Sequence, residues 1–323
     1  QPILDRIQTV SDRQSLSRFL GGTLRADVDV LNATSLTTRN LLGLWVAQDL
    51  NDPSRYVPFL LQGGLGLPDR DFYLSDAPRM QAIRERYLAH IATVLRLAKV
   101  SDPEAKAARI LQLERRMAES HATRTETGDV KKGNNPWTRA EFDAKAPGLD
   151  WEAYFQAAGL QWQKDFVVWQ PGALKGLSAL VGSESRNTWR DYLRYQGLDN
   201  GSSALPKACA QEHFAFFGKA LQGVPQQQAR AKRGIDLTSV ALGEIVGKLY
   251  VERHFPASDK ARVQALVANI MKAFERRIDA LEWMAPETKA KAKAKLAVMK
   301  VGVGYPDKWA EHSSLTIDPR DIV

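Results

Sequence analysis

Apolar residues recur at spacings of three, four and seven along much of this 323-residue chain. Such spacing places them on one face of an α-helix. One such stretch runs from Met80 to Leu95 and another from Val263 to Leu281, and each predicts a helix with one buried stripe. Ser258 is the predicted N-cap of the second helix. Because this period dominates and no longer repeat occurs, we expect a mainly α protein with an irregular, multi-helical architecture.

Two segments carry the signature of a helix start. In "SDPE", Ser101 and Glu104 have the spacing of a capping box, and Pro103 suits the first turn of a helix. Thr138 and Glu141 repeat the same box. We therefore predict that one helix begins at each of these segments.

Strand signals are few. The only candidates are "FVVW" at 166–169 and "VGVGY" at 301–305, and neither has an obvious hairpin partner. No window approaches the roughly 18 consecutive apolar residues that a membrane-spanning helix needs, so no membrane span is expected in this chain. A single cysteine, Cys209, excludes an internal disulfide.

The chain is basic, with a formal net charge of +8 and a pI near 9.5. Such a charge favours acidic partners, but the charged residues follow helical patterns and are not gathered into one block. The densest run, "KAKAKAK" at 289–295, places lysines two apart, so they wind around a helix. A nucleic-acid partner is therefore not expected, since a reading motif is missing too.

No catalytic constellation can be assigned from the residues. A zinc peptidase needs two histidines one helical turn apart, as in H-E-x-x-H, and no two of the five histidines have that spacing; they are His90, His121, His213, His254 and His312. Glu275 and Asp279 match a loose E-x-x-x-D pattern, which we interpret as a solvated helix face. Cys209 has Lys207 and His213 nearby in sequence, but a buried structural cysteine is the preferred interpretation. We assign no catalytic residue and no metal ligand in this chain.

Several separated segments, taken in order, resemble the neprilysin and endothelin-converting-enzyme family of zinc metallopeptidases. The resemblance is strongest over 242–309 and covers nearly the whole chain. The segments are "GGLGLPDRDFYL" (63–74), "NPWTRAEF" (135–142), "LDWEAYF" (149–155), "LGEIVGKLYVERHFP" (242–256), "LEWMAPETKAKAKAKL" (281–296) and "VGVGYPDKW" (301–309). One departure is Ala285, which stands where the family has an aspartate that would cap the next helix.

The resemblance implies a helical lobe that caps a thermolysin-like zinc peptidase lobe, the latter largely absent from this chain. Residues 1–309 are expected to form the cap lobe, incomplete at the N-terminus, and residues 310–323 to begin the connection toward the catalytic lobe. In the family the H-E-x-x-H helix follows the G-Y-P-D stretch. The zinc and the catalytic residues are therefore expected outside these 323 residues, and this chain alone should be inactive.

By the same resemblance, the complete protein would be a zinc-dependent endopeptidase that cuts oligopeptides on the amino side of bulky apolar residues. Its partners would be an oligopeptide substrate and the remaining catalytic segment of the same protein. This chain would shape the cavity and limit substrate size. The alternative is a non-catalytic helical peptide-binding protein. A periplasmic or secreted location is expected, with the cytoplasm as the alternative.

The glycine-rich stretch at 63–74 poses a question of its own. We expect a structural turn that docks helices, with Asp69, Arg70 and Asp71 pairing locally. In the alternative interpretation Arg70 contacts the substrate, because arginine forks bind peptide carboxylates.

Overall fold

The computed structural model describes residues 2–26 and 38–316. The chain divides into two compact units, Gln1–Gln227 and Gln228–Ile322. Sixteen α-helices and one four-stranded sheet lie within the described residues. The predicted mainly α class is therefore confirmed.

Twelve α-helices belong to the first unit, and a π-helix (Phe214–Leu221) follows the last of them. A short 3-10 helix covers Arg139–Glu141. The α-helices are α1 (Pro2–Gln8), α2 (Arg13–Thr23), α3 (Asp71–Leu74), α4 (Pro78–Leu97), α5 (Pro103–Ser120), α6 (Arg124–Thr127), α7 (Val130–Gly133), α8 (Phe142–Lys145), α9 (Trp151–Ala157), α10 (Pro171–Ser183), α11 (Arg186–Asn200) and α12 (Lys207–His213).

The sheet of the first unit has the strand order β1-β2-β4-β3. Strands β1 and β2 form an antiparallel hairpin, β2 pairs with β4 in parallel, and β3 pairs with β4 antiparallel. The strands are β1 (Leu42–Gln48), β2 (Tyr56–Gln62), β3 (Pro136–Thr138) and β4 (Asp165–Val168). Strand β4 confirms the prediction at 166–169, whereas the sequence did not predict the hairpin.

Both faces of this sheet are buried. One face contributes Leu44, Leu60 and Val168 to the main helical core. The other carries a smaller cluster in which the Trp45 and Phe59 rings stack at 4.8 Å between centroids. A sheet covered on both sides lacks the alternation of apolar and polar residues that marks a strand in the sequence, and the hairpin therefore escaped prediction.

The two helices predicted to start in the first unit begin where expected, but only one of the two predicted capping boxes forms. Helix α5 begins at Pro103, but its N-cap is Asp102 in the left-handed region at φ 49°. Ser101 therefore precedes the cap, and its hydroxyl accepts a hydrogen bond from Lys106 instead (3.2 Å), so the Ser101 capping box was wrong. The box at Thr138 is confirmed, since Glu141 Oε2 accepts from the Thr138 backbone N–H at 2.7 Å.

The second unit contains four α-helices, all within the described residues. They are α13 (Arg230–Ala241), α14 (Gly243–His254), α15 (Ala257–Ala280) and α16 (Pro286–Ala297). Ala285 is the N-cap of α16 and makes no side-chain capping hydrogen bond, as its difference from the family aspartate predicted. Helix α15 begins after Pro256, so the predicted cap at Ser258 was wrong.

Two further predictions in the second unit were wrong. The apolar face of α15 is not a buried stripe: Leu266 is 58% exposed and Phe274 54%. Residues 301–305 form no strand, and Gly304 has a positive φ of 68°. A positive φ breaks the extended backbone that strand pairing requires.

None of the helices formed by the described residues combines the length and the apolar character needed to cross a bilayer.

Candidate functional site

The backbone of the glycine loop, residues 63–70, forms hydrogen bonds with buried side chains. His121 Nε2 lies 3.1 Å from the Gly63 carbonyl oxygen. The Tyr192 hydroxyl donates to the Gly64 carbonyl oxygen at 2.7 Å. The Leu67 backbone N–H donates to the Tyr73 hydroxyl at 2.9 Å. Since these side chains come from different segments, the loop joins distant parts of the first unit, as a structural turn should.

Two positions in the glycine loop require glycine for separate reasons. Gly64 has a φ of +87°, which an L-residue with a side chain rarely adopts. At Gly66 the backbone is ordinary, but a Cβ atom would stand 1.9 Å from the Tyr87 hydroxyl oxygen. The buried Tyr87 side chain therefore occupies the space that a side chain at position 66 would need.

A buried carboxylate lies behind the loop. Glu114, on α5, accepts hydrogen bonds from the hydroxyls of Tyr73 (2.8 Å) and Tyr87 (3.2 Å) and from the Gln196 amide (3.1 Å). Burial raises the pKa of Glu114 to about 7, because the neutral donors only partly offset the loss of water. Glu114 is thus a proton-holding group inside the fold.

His121 has the opposite electrostatic behaviour. Burial lowers its pKa to about 4, and the hydrogen bond to Gly63 only partly opposes that shift. The ring is therefore neutral at neutral pH, and with Nε2 protonated it donates to the Gly63 carbonyl. Protonation of the ring would place a charge beside the nearby Arg70, which also lowers the pKa of His121.

Arg70, the one residue singled out for substrate binding, lies half-buried at the end of the glycine loop. Within residues 2–26 and 38–316, it forms no ion pair with Asp69 or Asp71, so the predicted local ion pairing was wrong. The local contact is a hydrogen bond from the Asp71 backbone N–H to the Asp69 carboxylate (2.9 Å). The Nε atom of Arg70 is buried without a hydrogen-bond partner.

A second polar cluster unites residues far apart in the sequence. His90 Nε2 lies 3.1 Å, and His213 Nδ1 2.8 Å, from Asp199 Oδ1. Glu212 Oε1 lies 2.9 Å from His90 Nδ1, and Arg39 Nη1 lies 2.5 Å from Asp199 Oδ2. We call these five residues the His90 cluster. No spacing in the sequence indicated it, because three separate helices supply its two histidines and its aspartate.

The His90 ring touches a carboxylate at each nitrogen. If both carboxylates are ionised, both nitrogens must carry protons, which makes the ring an imidazolium. Burial alone would lower the pKa of His90, but hydrogen bonds to Asp199 and Glu212 outweigh it, and the pKa is raised. Asp199 is likewise buried, yet hydrogen bonds from His213 and His90 and the charge of Arg39 hold its pKa well below the usual range.

The other predicted chemistry takes ordinary structural roles. Asp279 of the E-x-x-x-D pattern pairs with Lys293 (2.9 Å) on the protein surface, as expected for a solvated helix face. Cys209 shares helix α12 with His213, but the His213 ring is directed to Asp199.

The second unit has a cleft of about 660 Å³ with mainly apolar walls. In it the rings of Tyr305 and Trp309, from the family-like stretch 301–309, stack with 5.9 Å between centroids. Lys260 Nζ donates to the Tyr305 carbonyl oxygen at 2.8 Å, and Glu244 accepts from the Ala310 backbone N–H at 2.7 Å. These contacts give the 301–309 segment a defined conformation without a strand.

A sequence model of the N-terminal part of peptidase family M13 matches residues 1–306. Endothelin-converting enzyme-like 1 of Mus musculus is 32% identical over 275 residues, which cover 83% of this chain and 35% of the relative. Neutral endopeptidase of Lactococcus lactis subsp. cremoris is 22% identical over 266 residues, covering 82% of this chain and 42% of the relative. The chain thus spans less than half the length of these relatives.

Two solved structures of Mycobacterium tuberculosis zinc metalloprotease Zmp1 have the same fold. The cryo-EM structure of its open state superposes with a TM-score of 0.84 at 33% identity and covers 99% of this chain and 48% of that one. The crystal structure of the same enzyme with an inhibitor gives 0.85 at 32% identity, covering 98% and 47%. Sequence and fold agree over nearly all of its length: this chain belongs to peptidase family M13.

Proposed function

We propose that this chain is the helical part of a zinc-dependent endopeptidase, where it shapes the substrate cavity and limits substrate size. One observation carries the proposal: the chain matches the N-terminal part of the M13 family over residues 1–306. No two of its histidines have the H-E-x-x-H spacing. The metal ligands of the peptidase are therefore assigned to a further part of the complete protein. Zinc supplies Lewis-acid catalysis of peptide hydrolysis when bound there.

The family resemblance supports a proposal for the substrate class. We propose oligopeptides cut on the amino side of bulky apolar residues, with folded proteins excluded by the walls that this chain provides. Residues 1–309 are proposed as the cap lobe and residues 310–323 as the start of the connection to the catalytic lobe. A periplasmic or secreted location is proposed, and a cytoplasmic one is the alternative.

The test uses the complete protein. Mass spectrometry of peptide digests should place cleavage before Leu, Ile, Phe or similar residues. A cleavable peptide embedded in a stable folded protein should survive, whereas the same peptide free in solution should be cut. Equal cleavage of both substrates would contradict the size-limiting role, and peptide binding without any hydrolysis would favour the binding-protein alternative.

For Arg70 we propose a contact with a substrate carboxylate. Its half-buried guanidinium has no acidic partner among the described residues, and its Nε atom is unpaired. Such a group gains a charge-assisted hydrogen bond when a peptide carboxylate arrives. The glycine loop would then hold Arg70 in a fixed position. The stretch 63–74 would serve both as a structural turn and as a substrate contact.

The matched variants are Arg70→Ala and Arg84→Ala in the complete protein. Arg84, on α4, contacts the segment that follows Arg70: it donates to the carbonyl oxygens of Phe72 (2.9 Å) and Ser75 (2.8 Å). Arg70→Ala should abolish any preference for peptides with a free C-terminal carboxylate over their amides, at little cost in Tm. Arg84→Ala should lower Tm and keep the preference. A lowered Tm with unchanged preference for Arg70→Ala would contradict the substrate role.

A further inference from the structure

The His90 cluster brings three metal-ligand atoms together inside the first unit. Helix α4 supplies His90, α11 supplies Asp199, and α12 ends at His213. One atom from each, His90 Nε2, Asp199 Oδ1 and His213 Nδ1, lies within 4.8 Å of the other two. Two imidazole nitrogens and one carboxylate oxygen form a donor set that suits zinc and related divalent metals.

The distances are close to those of a loaded site. Ligands that sit on a zinc ion at their usual bond lengths lie about 3.3 Å apart in a tetrahedron. The two measured separations from Asp199 Oδ1 are 3.1 Å to His90 and 2.8 Å to His213. An expansion of a few tenths of an ångström at those contacts would admit an ion in place of the shared protons.

The contacts around the donor atoms resemble the surroundings of known metal sites. Histidines that bind a metal through one nitrogen usually donate from the other nitrogen to a carboxylate. His90 has that arrangement, because Glu212 lies at its Nδ1 while its Nε2 faces Asp199. Arg39 occupies Asp199 Oδ2 and leaves Oδ1 for the cluster.

The local backbone also singles out this place. A π-helix, which is rare and frequent at functional sites, begins directly after His213 and runs from Phe214 to Leu221. Within it, the Phe217 ring stacks on the His213 ring at 4.6 Å and holds its plane. His213 is one-third exposed, so an ion and a water ligand can reach the cluster from that side.

We propose that His90 Nε2, His213 Nδ1 and Asp199 Oδ1 bind a divalent transition metal, with zinc as the physiological ion and water as the fourth ligand. The ion takes the place of the hydrogen at each of these nitrogens. His90 releases its Nε2 proton to water and keeps the one on Nδ1, whereas His213 binds as the tautomer that carries its proton on Nε2, so both rings are neutral ligands. With Asp199, Glu212 and Arg39 charged, the loaded cluster carries a net charge of +1. The nearby guanidinium weakens binding by repulsion. The site is independent of the peptidase proposal, since its ligands all lie in this chain.

The experiment uses the 323-residue chain, tag-free and stripped with a chelator. Titration with Co²⁺ should produce the visible d–d absorption of a four- or five-coordinate nitrogen and oxygen site at one equivalent, and excess Zn²⁺ should abolish it. His213→Gln and Asp199→Asn should remove the absorption. His254→Gln, which changes an exposed histidine of the second unit, should keep it. Glu212→Gln should weaken the affinity about 10- to 100-fold.

Each variant is first checked by circular dichroism in chelator, so that loss of the fold is not taken for loss of a ligand. If Asp199→Asn does not fold, the part-exposed His213→Gln decides the matter. Absence of a Co²⁺ spectrum in the folded parent chain would overturn the proposal. The His90 cluster would then be a set of hydrogen bonds and ion pairs that joins three helices without a metal. A spectrum that survives His213→Gln, or that disappears with His254→Gln, would overturn it as well.

Discussion

The Tyr73 hydroxyl lies 2.8 Å from Glu114 Oε2 and donates a hydrogen bond to it. The same hydroxyl accepts from the Leu67 backbone N–H at 2.9 Å. One side chain therefore joins the glycine loop to a carboxyl group that is buried in α5. The glycine loop, Tyr73, Tyr87 and Glu114 form one hydrogen-bond network, so a substitution in one member should change the stability of the others.

Gly66→Ala tests the close packing of the glycine loop against the Tyr87 side chain of α4. The new methyl group would collide with the Tyr87 hydroxyl, which is buried and bonded to Glu114 (3.2 Å). Overpacking of this kind should lower the free energy of unfolding by about 1–3 kcal/mol, measured by urea denaturation. Gly172→Ala is the control, because nothing lies within 4 Å of its Cβ position. Equal effects of the two substitutions would contradict the packing described.

Glu114→Gln tests the buried carboxyl group. Its folded pKa is about 7 against an unfolded value of 4.5, so the folded state retains a proton that the unfolded chain loses. Stability from this group is complete below the unfolded pKa and is lost as the pH rises through about 7. The variant keeps a neutral side chain at every pH. Between about pH 5 and about pH 8, its free energy of unfolding should therefore rise relative to that of the parent, by up to roughly 3 kcal/mol. If the difference in unfolding free energy between variant and parent stays constant across that pH range, Glu114 is ionised in the folded state.

His121 should produce the opposite pH dependence. Its folded pKa of about 4 lies below the unfolded value of 6.5. Its contribution to stability is therefore present above 6.5 and is lost as the pH falls toward 4. His121→Gln, which retains a donor for the Gly63 carbonyl oxygen, should flatten the acid limb of Tm against pH. Retention of the full acid limb in the variant would assign that limb to other groups.

The apolar faces of two helices give a matched pair. Leu113 of α5 is 2% exposed, whereas Leu266 of α15 is 58% exposed. In this chain Leu113→Ala should cost about 2–5 kcal/mol, and Leu266→Ala should lie within about 0.5 kcal/mol of the parent. Thermal denaturation of the two variants measures both. A large loss at Leu266 would mean that the α15 face is packed after all.

Sequence patterns predicted the helices well where local chemistry decides. The period from Met80 to Leu95 gave α4, and Pro103 marked the start of α5. They failed where tertiary packing decides. Strand β2 buries five of its seven residues in a row, so its sequence lacks the alternation of apolar and polar residues that marks a strand. It also contains Pro58, which argues against a strand in a sequence. The face of α15 has a perfect period, yet period alone cannot say whether another element covers it.

The candidate site divides in the same way. The glycine loop and Arg70 could be singled out from a short motif, because the family resemblance and the turn chemistry are local. The His90 cluster could not, because His90 and Asp199 are 109 residues apart. Their contact depends on the rotation and register of two packed helices, which single-sequence patterns do not fix.

The most direct measurement of the central claim is a peptide hydrolysis assay on the isolated 323-residue chain, with Zn²⁺ added and with a chelator as the paired control. We predict no cleavage of oligopeptides above the buffer rate, even when zinc occupies the His90 cluster, while the complete protein cleaves the same peptides. Chelator-sensitive hydrolysis by the purified chain alone would contradict the account, because it would place the catalytic centre within these residues.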